Sequence, residues 1–304
     1  MKHDDTLWKS LLEDVFDDFF LFFFKDYEEK FDLNKGFEFL DKELEQLFPT
    51  DEADANTPRF VDKLVKMFTK DGREEWVLVH VEVQGYNDPG FAKRMFTYFY
   101  RILDKYNKPV TSIAIFTDTN KNFKPNEYRY NFMGVENIFK YNTYKIIEQD
   151  EDVLRRDENP FAIVILTVLI ALKKGKLPEE IITDLKIELA KAFLKKPVPK
   201  EKARAIMSFL RYYIRLEKTE NLTKFDNAII EITNKNATTM GIEEFLLQRA
   251  EKKGRKEGRE EGKEEAKVIF VKSLLDTTDF SNEKIASIAD VTVVFVEKIK
   301  ASLS

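Results

Sequence analysis

The residues best placed to do chemistry in this chain are carboxylates on two neighbouring extended segments. The stretch WVLVHVEVQ (76–84) alternates with a period of two. In a strand, alternate side chains share a face. Val77, Val79, Val81 and Val83 therefore line one side, and Trp76, His80, Glu82 and Gln84 stand on the other. In the preceding run, RFVDKLVKMF (59–68), Asp62 lies between Phe60 and Leu64 on one face. Antiparallel pairing through Asp71–Gly72 brings Asp62 beside Glu82. Two carboxylates so close repel unless something neutralises them, and a divalent cation does so. A third acid, Glu43, follows the i, i+3, i+4, i+7 spacing of Leu40, Leu44 and Leu47. It either serves a site beside that apolar stripe or lies at the stripe's edge and reaches water.

Composition narrows the chemistry further. There is no Cys, and the two histidines are His3 and His80. Disulfides, Cys nucleophiles, Cys-based zinc sites and His-rich metal centres are excluded. A lone His80 is more often a hydrogen-bonded structural residue than a ligand. Carboxylate oxygens favour hard cations, Mg²⁺ or Mn²⁺. The formal net charge is −5, from 50 basic and 55 acidic residues. That argues against a general polyanion binder, yet a local basic face can exist within such a total.

The elements that must position these residues can be read from periodicity. Residues 6–24 carry Trp8, Leu11, Leu12, Val15, Phe16, Phe19, Phe20 and Phe23 at helical spacing. A second helix fits Phe37 to Phe48 and stops at Pro49, and 50–58 reads as a polar loop. Strands at 59–68 and 76–84 follow, then a helix over 91–105. The nearly all-apolar run 110–116 fits a central strand buried on both faces. Weaker strands fit 128–133 and 138–146. The order predicts an α/β or α+β domain with a mixed sheet over 1–150. Residues 151–250 read as helical, with Asn159–Pro160 opening an apolar helix at 161–172 and Pro178, Pro197 and Pro199 punctuating the rest. With 43% hydrophobic residues and 27 Phe, a sizeable aromatic core is expected.

The ordered pattern of acid, hairpin and E-x-Q resembles the PD-(D/E)XK nuclease superfamily. It is similar in particular to the bacterial recombination-promoting nuclease, or transposase-like, family. RFVDKLVKM (59–67), VLVHVEVQG (77–85) with FAKRMFTYFYRI (91–102), and PVTSIAIFTD (109–118) carry that resemblance over roughly the first half of the chain. It implies a restriction-endonuclease-like core and metal-assisted hydrolysis of DNA in support of recombination or mobile-element movement. Asp62 and Glu82 would hold Mg²⁺, or Mn²⁺, with the backbone carbonyl of Val83. Gln84 stands where the superfamily usually has Lys, and Val61 where the motif has Pro. An amide can orient a water but cannot act as a general base near neutral pH. Arg94, Tyr98 and Arg101 form one helical stripe after the site. With Lys93 they are candidate phosphate contacts, although such a stripe is more often a solvated face. The competing readings are a catalytically silent scaffold of the same fold, kept open by Gln84, and an RNA or repair nuclease. A homodimer is compatible with two-strand cutting.

Residues 251–267 (EKKGRKEGREEGKEEAK) form a charged stretch with Gly254, Gly258 and Gly262 four apart, read as an exposed helix or linker. Residues 268–302 suggest three short helices with Ser281 and Thr292 as N-caps. This small helical tail fits a packing or partner-binding role. The longest apolar run near the N-terminus, Phe19–Phe24, is far short of the about 20 residues a membrane helix needs. No secretory leader is visible, so the expected setting is cytoplasmic, without a membrane partner.

Overall fold

Two valine-rich segments joined by a tight turn set the frame. The computed structural model describes residues 2–47, 61–82 and 88–235, together with residues 271, 272, 275, 281, 282, 284, 286, 291 and 293–301 nearer the C-terminus. Strands β2 (Val61–Phe68) and β3 (Glu74–Glu82) pair antiparallel from Val61↔Val81 to Phe68↔Glu74. The reversal is closed by Thr69 N–H donating to the Arg73 carbonyl at 2.8 Å. Gly72 adopts φ 85, a backbone region that side chains disfavour. Helix α4 (Phe91–Tyr106) carries the chain to β4 (Val110–Phe116), which runs parallel to β3. Asn107 ends α4 in the left-handed conformation, a usual C-terminal stop. Strand β7 (Asn142–Lys145) adds parallel to β4, and β1 (Glu38–Phe39) pairs antiparallel with β2. The result is a mixed five-stranded sheet ordered β1-β2-β3-β4-β7, with β4 internal and largely buried as its sequence predicts.

Both faces of this sheet are covered. Leu64, Trp76 and Leu78 pack with Leu44 of α3 (Asp41–Leu47) and Ile102 of α4. Ala114 and Phe116 pack with Phe91 and Met95 of α4. On the opposite face, Tyr144 of β7 meets Phe22 and Phe23 of α2 (Phe16–Phe23). Lys63, on the valine side of β2, is buried and its ammonium pairs with Glu13 of α1 (Lys2–Asp14) and with Asp41.

Three boundaries differ from the periodicity. The helix expected over 6–24 is broken at Val15, whose φ is −131, so α1 and α2 are separate elements. The break lets α1 press Trp8 edge-on to Phe209 while α2 turns Phe16 onto Phe37 and Phe39. The helix expected from Phe37 starts at Asp41, because Phe37, Glu38 and Phe39 alternate and β1 pairs with β2. Phe48 lies outside the described residues. The segment 138–146 divides between β6 (Val135–Lys140) and β7. Strand β6 pairs with β5 (Glu127–Phe132) in a separate two-stranded hairpin, while β7 enters the main sheet.

The region after residue 150 is helical: α5 (Glu151–Arg156), α6 (Phe161–Leu172), α7 (Glu179–Phe193), α8 (Lys200–Tyr213) and α9 (Thr219–Lys235). Helix α6 is apolar all round and every residue from Phe161 to Ile170 is buried, as such a helix requires. Asn159 starts it: its side-chain oxygen accepts from Phe161 N–H at 2.8 Å and its amide donates to the Asp18 carbonyl at 2.9 Å. Phe161 packs on Trp8, Phe19, Phe22 and Phe23, which ties this bundle to the sheet layer. Residues 1–241 accordingly form one compact unit. Among the described residues no helix is long and apolar enough to cross a membrane.

The start of α9 is held by a carboxylate from α7. Glu179 accepts from the Asn221 side-chain amide and from the backbone N–H groups of Lys218 and Glu217. These bonds, led by that from Asn221, hold its pKa at about 2, down from 4.5. A depressed carboxylate stabilises the fold fully above its unfolded pKa and loses that effect as pH falls through the folded value. Amide protection across the first turn of α9 should therefore fall as pH drops from about 4.5 towards 2, and Glu179→Gln should flatten that dependence. Hydrogen exchange along a pH series measures both.

The second unit spans residues 242–304. There Val271, Ala286, Val296 and Ile299 form a small core with Leu275, Val291 and Phe295 packed against it. The C-terminal helix runs Val293–Ala301. Ser281 Oγ accepts from Lys284 N–H at 3.3 Å, the N-cap expected of it. Thr292 and the charged stretch 251–267 lie outside the described residues.

Candidate active site

The hairpin register decides how the two candidate acids relate. Asp62 pairs with His80, and Val61 with Val81. Directly opposed residues of an antiparallel pair share a face, as do residues two apart on one strand. Asp62, His80 and Glu82 therefore belong to one face. Asp62 stands opposite His80 rather than beside Glu82, and Glu82 is its diagonal neighbour. The reversal at Thr69–Arg73 sets this register, pairing Phe68 with Glu74. The side chains of Asp62 and Glu82 lie outside the described residues, as do Phe60, Val83 and Gln84 altogether.

This face is the one roofed by α3 and α4. Leu64, two residues from Asp62, packs against Leu44. His80 is fully buried, with its ring edge-on to Phe91 at 5.2 Å between centroids. It is a packed residue under the start of α4. Glu43 is partly buried on α3, next to Leu44, which enters the core. It thus lies at the edge of the apolar stripe, on the helix that covers the Asp62 face.

The stripe on α4 is largely engaged within the chain. The Arg94 guanidinium pairs with Asp88 just ahead of the helix and lies 5.2 Å over the Phe91 ring. Tyr98 packs against the Leu44–Leu64–Leu78 cluster. Arg101 is exposed but donates to the Leu47 carbonyl at 2.8 Å, joining α4 to the end of α3. These three residues fasten α4 to its neighbours, and Lys93 is a further exposed cation on the same helix.

A feature that periodicity did not single out lies at the carboxyl end of the parallel strands. Asp118 follows β4, and Lys145 ends β7; their side chains form an ion pair that is almost wholly buried. Asp118 also accepts from Asn120 N–H at 2.7 Å, and the Lys145 ammonium sits 5.3 Å over the Phe116 ring. Phe116 is in register with both Glu82 and Lys145. The pair thus joins the ends of β4 and β7, the first and second strands across the sheet from Glu82, at the edge where open α/β sheets usually place their ligands. An acid two residues after a nearly all-apolar strand is the sequence signal that points to it.

Among the described residues, no group of three or more His, Asp or Glu side chains is arranged to hold a metal ion. Comparison with protein-family models, with curated proteins and with solved structures finds no match to this chain. The functional reading therefore rests on the residues and the register alone.

Proposed function

We propose that this chain is a divalent-metal-dependent DNA endonuclease on a restriction-endonuclease-like core, with Asp62 and Glu82 as the ion-holding pair. The observation that supports the reading is the hairpin register, Asp62↔His80, in which positions 62 and 82 fall on one face, one diagonal step apart. Diagonal positions of an antiparallel pair lie about 7–8 Å apart, a span that two carboxylate side chains can close around one ion. The donors fit a hard cation: they are carboxylates, Cys is absent, and the nearest imidazole, His80, is packed against Phe91.

Bound there, Mg²⁺ would act as a Lewis acid and lower the pKa of a coordinated water. The chain's own residues do the rest. Asp62, Glu82 and the Val83 carbonyl would hold the ion. The Gln84 amide orients the attacking water by hydrogen bonding without taking its proton. Glu43, on α3, is a further acid on a helix that packs against β2. Lys93 meets the phosphate backbone, while Arg94, Tyr98 and Arg101 keep α4 in place over the site. This function suits recombination or mobile-element movement in the cytoplasm.

A second reading is a silent scaffold of the same fold that binds nucleic acid or protein partners. It draws on Gln84 and on the internal engagement of Arg94 and Arg101. The test incubates the purified chain with supercoiled DNA, and separately with RNA, under Mg²⁺, Mn²⁺ or chelator. Nicking of DNA that requires metal and spares RNA is expected. Preferential cutting of RNA would change the substrate. Ion binding by calorimetry without cutting would favour the scaffold, and neither binding nor cutting sinks the proposal.

A further inference from the structure

We infer that the β5–β6 hairpin is a homodimerisation element, through which two copies of this chain pair edge to edge along β5. Strands β5 and β6 pair only with each other among the described residues, so the outer edge of β5 carries an unpaired ladder of backbone groups. Cross-strand partners Tyr128↔Phe139, Tyr130↔Asn137 and Phe132↔Val135 share one face. At the hairpin's base this face is packed: Tyr128 stacks on Phe96 of α4 at 4.9 Å and Phe139 on Phe99 at 4.5 Å. Towards the tip it is bare. Tyr130 is 44% exposed, Phe132 59% and Val135 61%. An apolar strand edge of this kind is a ready template for another chain.

The tip adds an independent observation. Met133 and Gly134 both have positive φ, 47 and 85, which makes the two-residue turn type I′. Asn, Asp or Gly ordinarily fills the first turn position. Here a methionine occupies it, 86% exposed. A large apolar side chain held in a disfavoured conformation and aimed into water gains nothing within its own chain. An exposed apolar tip of this kind is available for contact with another surface.

Charge decides which surface. The hairpin's cations are Arg129 and Lys140, its acids Glu127 and Glu136, and Arg129 is bonded to both acids. The element is neutral and self-satisfied, which does not fit the phosphates of a nucleic acid. A second copy fits well. Two β5 strands related by a two-fold axis at Tyr130 set Tyr130 opposite Tyr130, Tyr128 opposite Phe132, and Arg129 opposite Asn131. No like charges meet, and three aromatic cross-strand pairs form, of the kind that stabilises sheets. Each exposed Phe132 then lies towards the other copy's Tyr128, beside the Phe96–Tyr100 stack whose Tyr100 is also exposed. Such an interface is isologous and closed.

Analytical ultracentrifugation of the full-length chain, from micromolar concentration upwards, tests this. The unaltered protein should sediment as a dimer. Phe132→Asp should weaken dimerisation by at least about tenfold with unchanged circular dichroism. Ile138→Asp, exposed on the opposite face of the hairpin, should leave the dimer intact. A monomer at all concentrations would overturn the inference, and so would a dimer indifferent to Phe132→Asp.

Discussion

Asp62→Ala and Glu82→Ala are each expected to remove metal-dependent DNA cleavage while leaving the chain folded. Partners that merely orient a metal's ligands typically cost about 10–100-fold when lost. Removing a direct ligand should therefore lower the rate by more than about a hundredfold. The sign of the stability change separates this account from a structural one. If the two acids exist to share an ion, they repel in its absence. Each variant should then melt at the same temperature as the parent, or higher, in chelator. The parent should gain stability with added Mg²⁺, because an ion that binds only the folded state raises the melting point, and the variants should not. Thermal melts with and without Mg²⁺, beside plasmid nicking, read both effects. Variants that still cut, or that are destabilised equally with and without metal, would remove the two acids from the site.

The second large effect is expected at the Asp118–Lys145 pair. Both side chains are almost wholly excluded from water, and the Lys145 ammonium has the Asp118 carboxylate as its ion-pair partner. Breaking a buried pair by removing one member leaves the other charge desolvated, which costs about 3–5 kcal/mol. Asp118→Ala should lower stability by that amount, and it also removes the acceptor that Asn120 N–H uses. Replacing both residues with apolar side chains of similar size, Asp118→Leu with Lys145→Met, should recover much of the loss, since such pairs are often replaceable as a unit. Denaturant melts of the single and double variants measure it. A single variant close to the parent in stability would mean the pair is far better hydrated than its burial implies.

Much of the frame was legible in the sequence because period and burial coincide there. The run 110–116 is short, apolar at nearly every position and rich in β-branched residues, which fits a strand covered on both faces. Phe161–Leu172 is apolar around its whole circumference, and it became the buried centre of the helical layer. Asp71–Gly72 marked the reversal because Gly72 must adopt a positive φ. The break at Val15 was not legible. It has no Pro or Gly, and the stripe of apolar residues continues across it. What divides the helix is packing: Trp8 is pressed on Phe209, and Phe16 is drawn to Phe37 and Phe39.

The site divides in the same way. That His80 and Glu82 share a face followed from alternation; that position 62 shares it depends on the register, Asp62↔His80. The one-step diagonal offset of positions 62 and 82 did not follow from it, because it depends on how many residues the Thr69–Arg73 turn consumes. Nor did the face's burial: His80 lies under Phe91, and Leu64 under Leu44, because α3 and α4 fold back over that side. The stripe Arg94–Tyr98–Arg101 has partners within the chain that its spacing did not foretell. Asp88 and the Leu47 carbonyl, six and 54 residues away, already engage its two guanidinium groups. The buried ammonium of Lys186 is a further case. Nothing in its helical period foretells that it donates to the Arg211 and Ile214 carbonyls at the end of α8.

Anomalous diffraction from crystals grown with Mn²⁺ puts the central claim to the most direct test. One ion is expected, bound by an oxygen of Asp62 and an oxygen of Glu82, with the Val83 carbonyl completing that side. Carboxylates directed to opposite sides of the sheet, or an ion bound elsewhere with both acids unliganded, would contradict it.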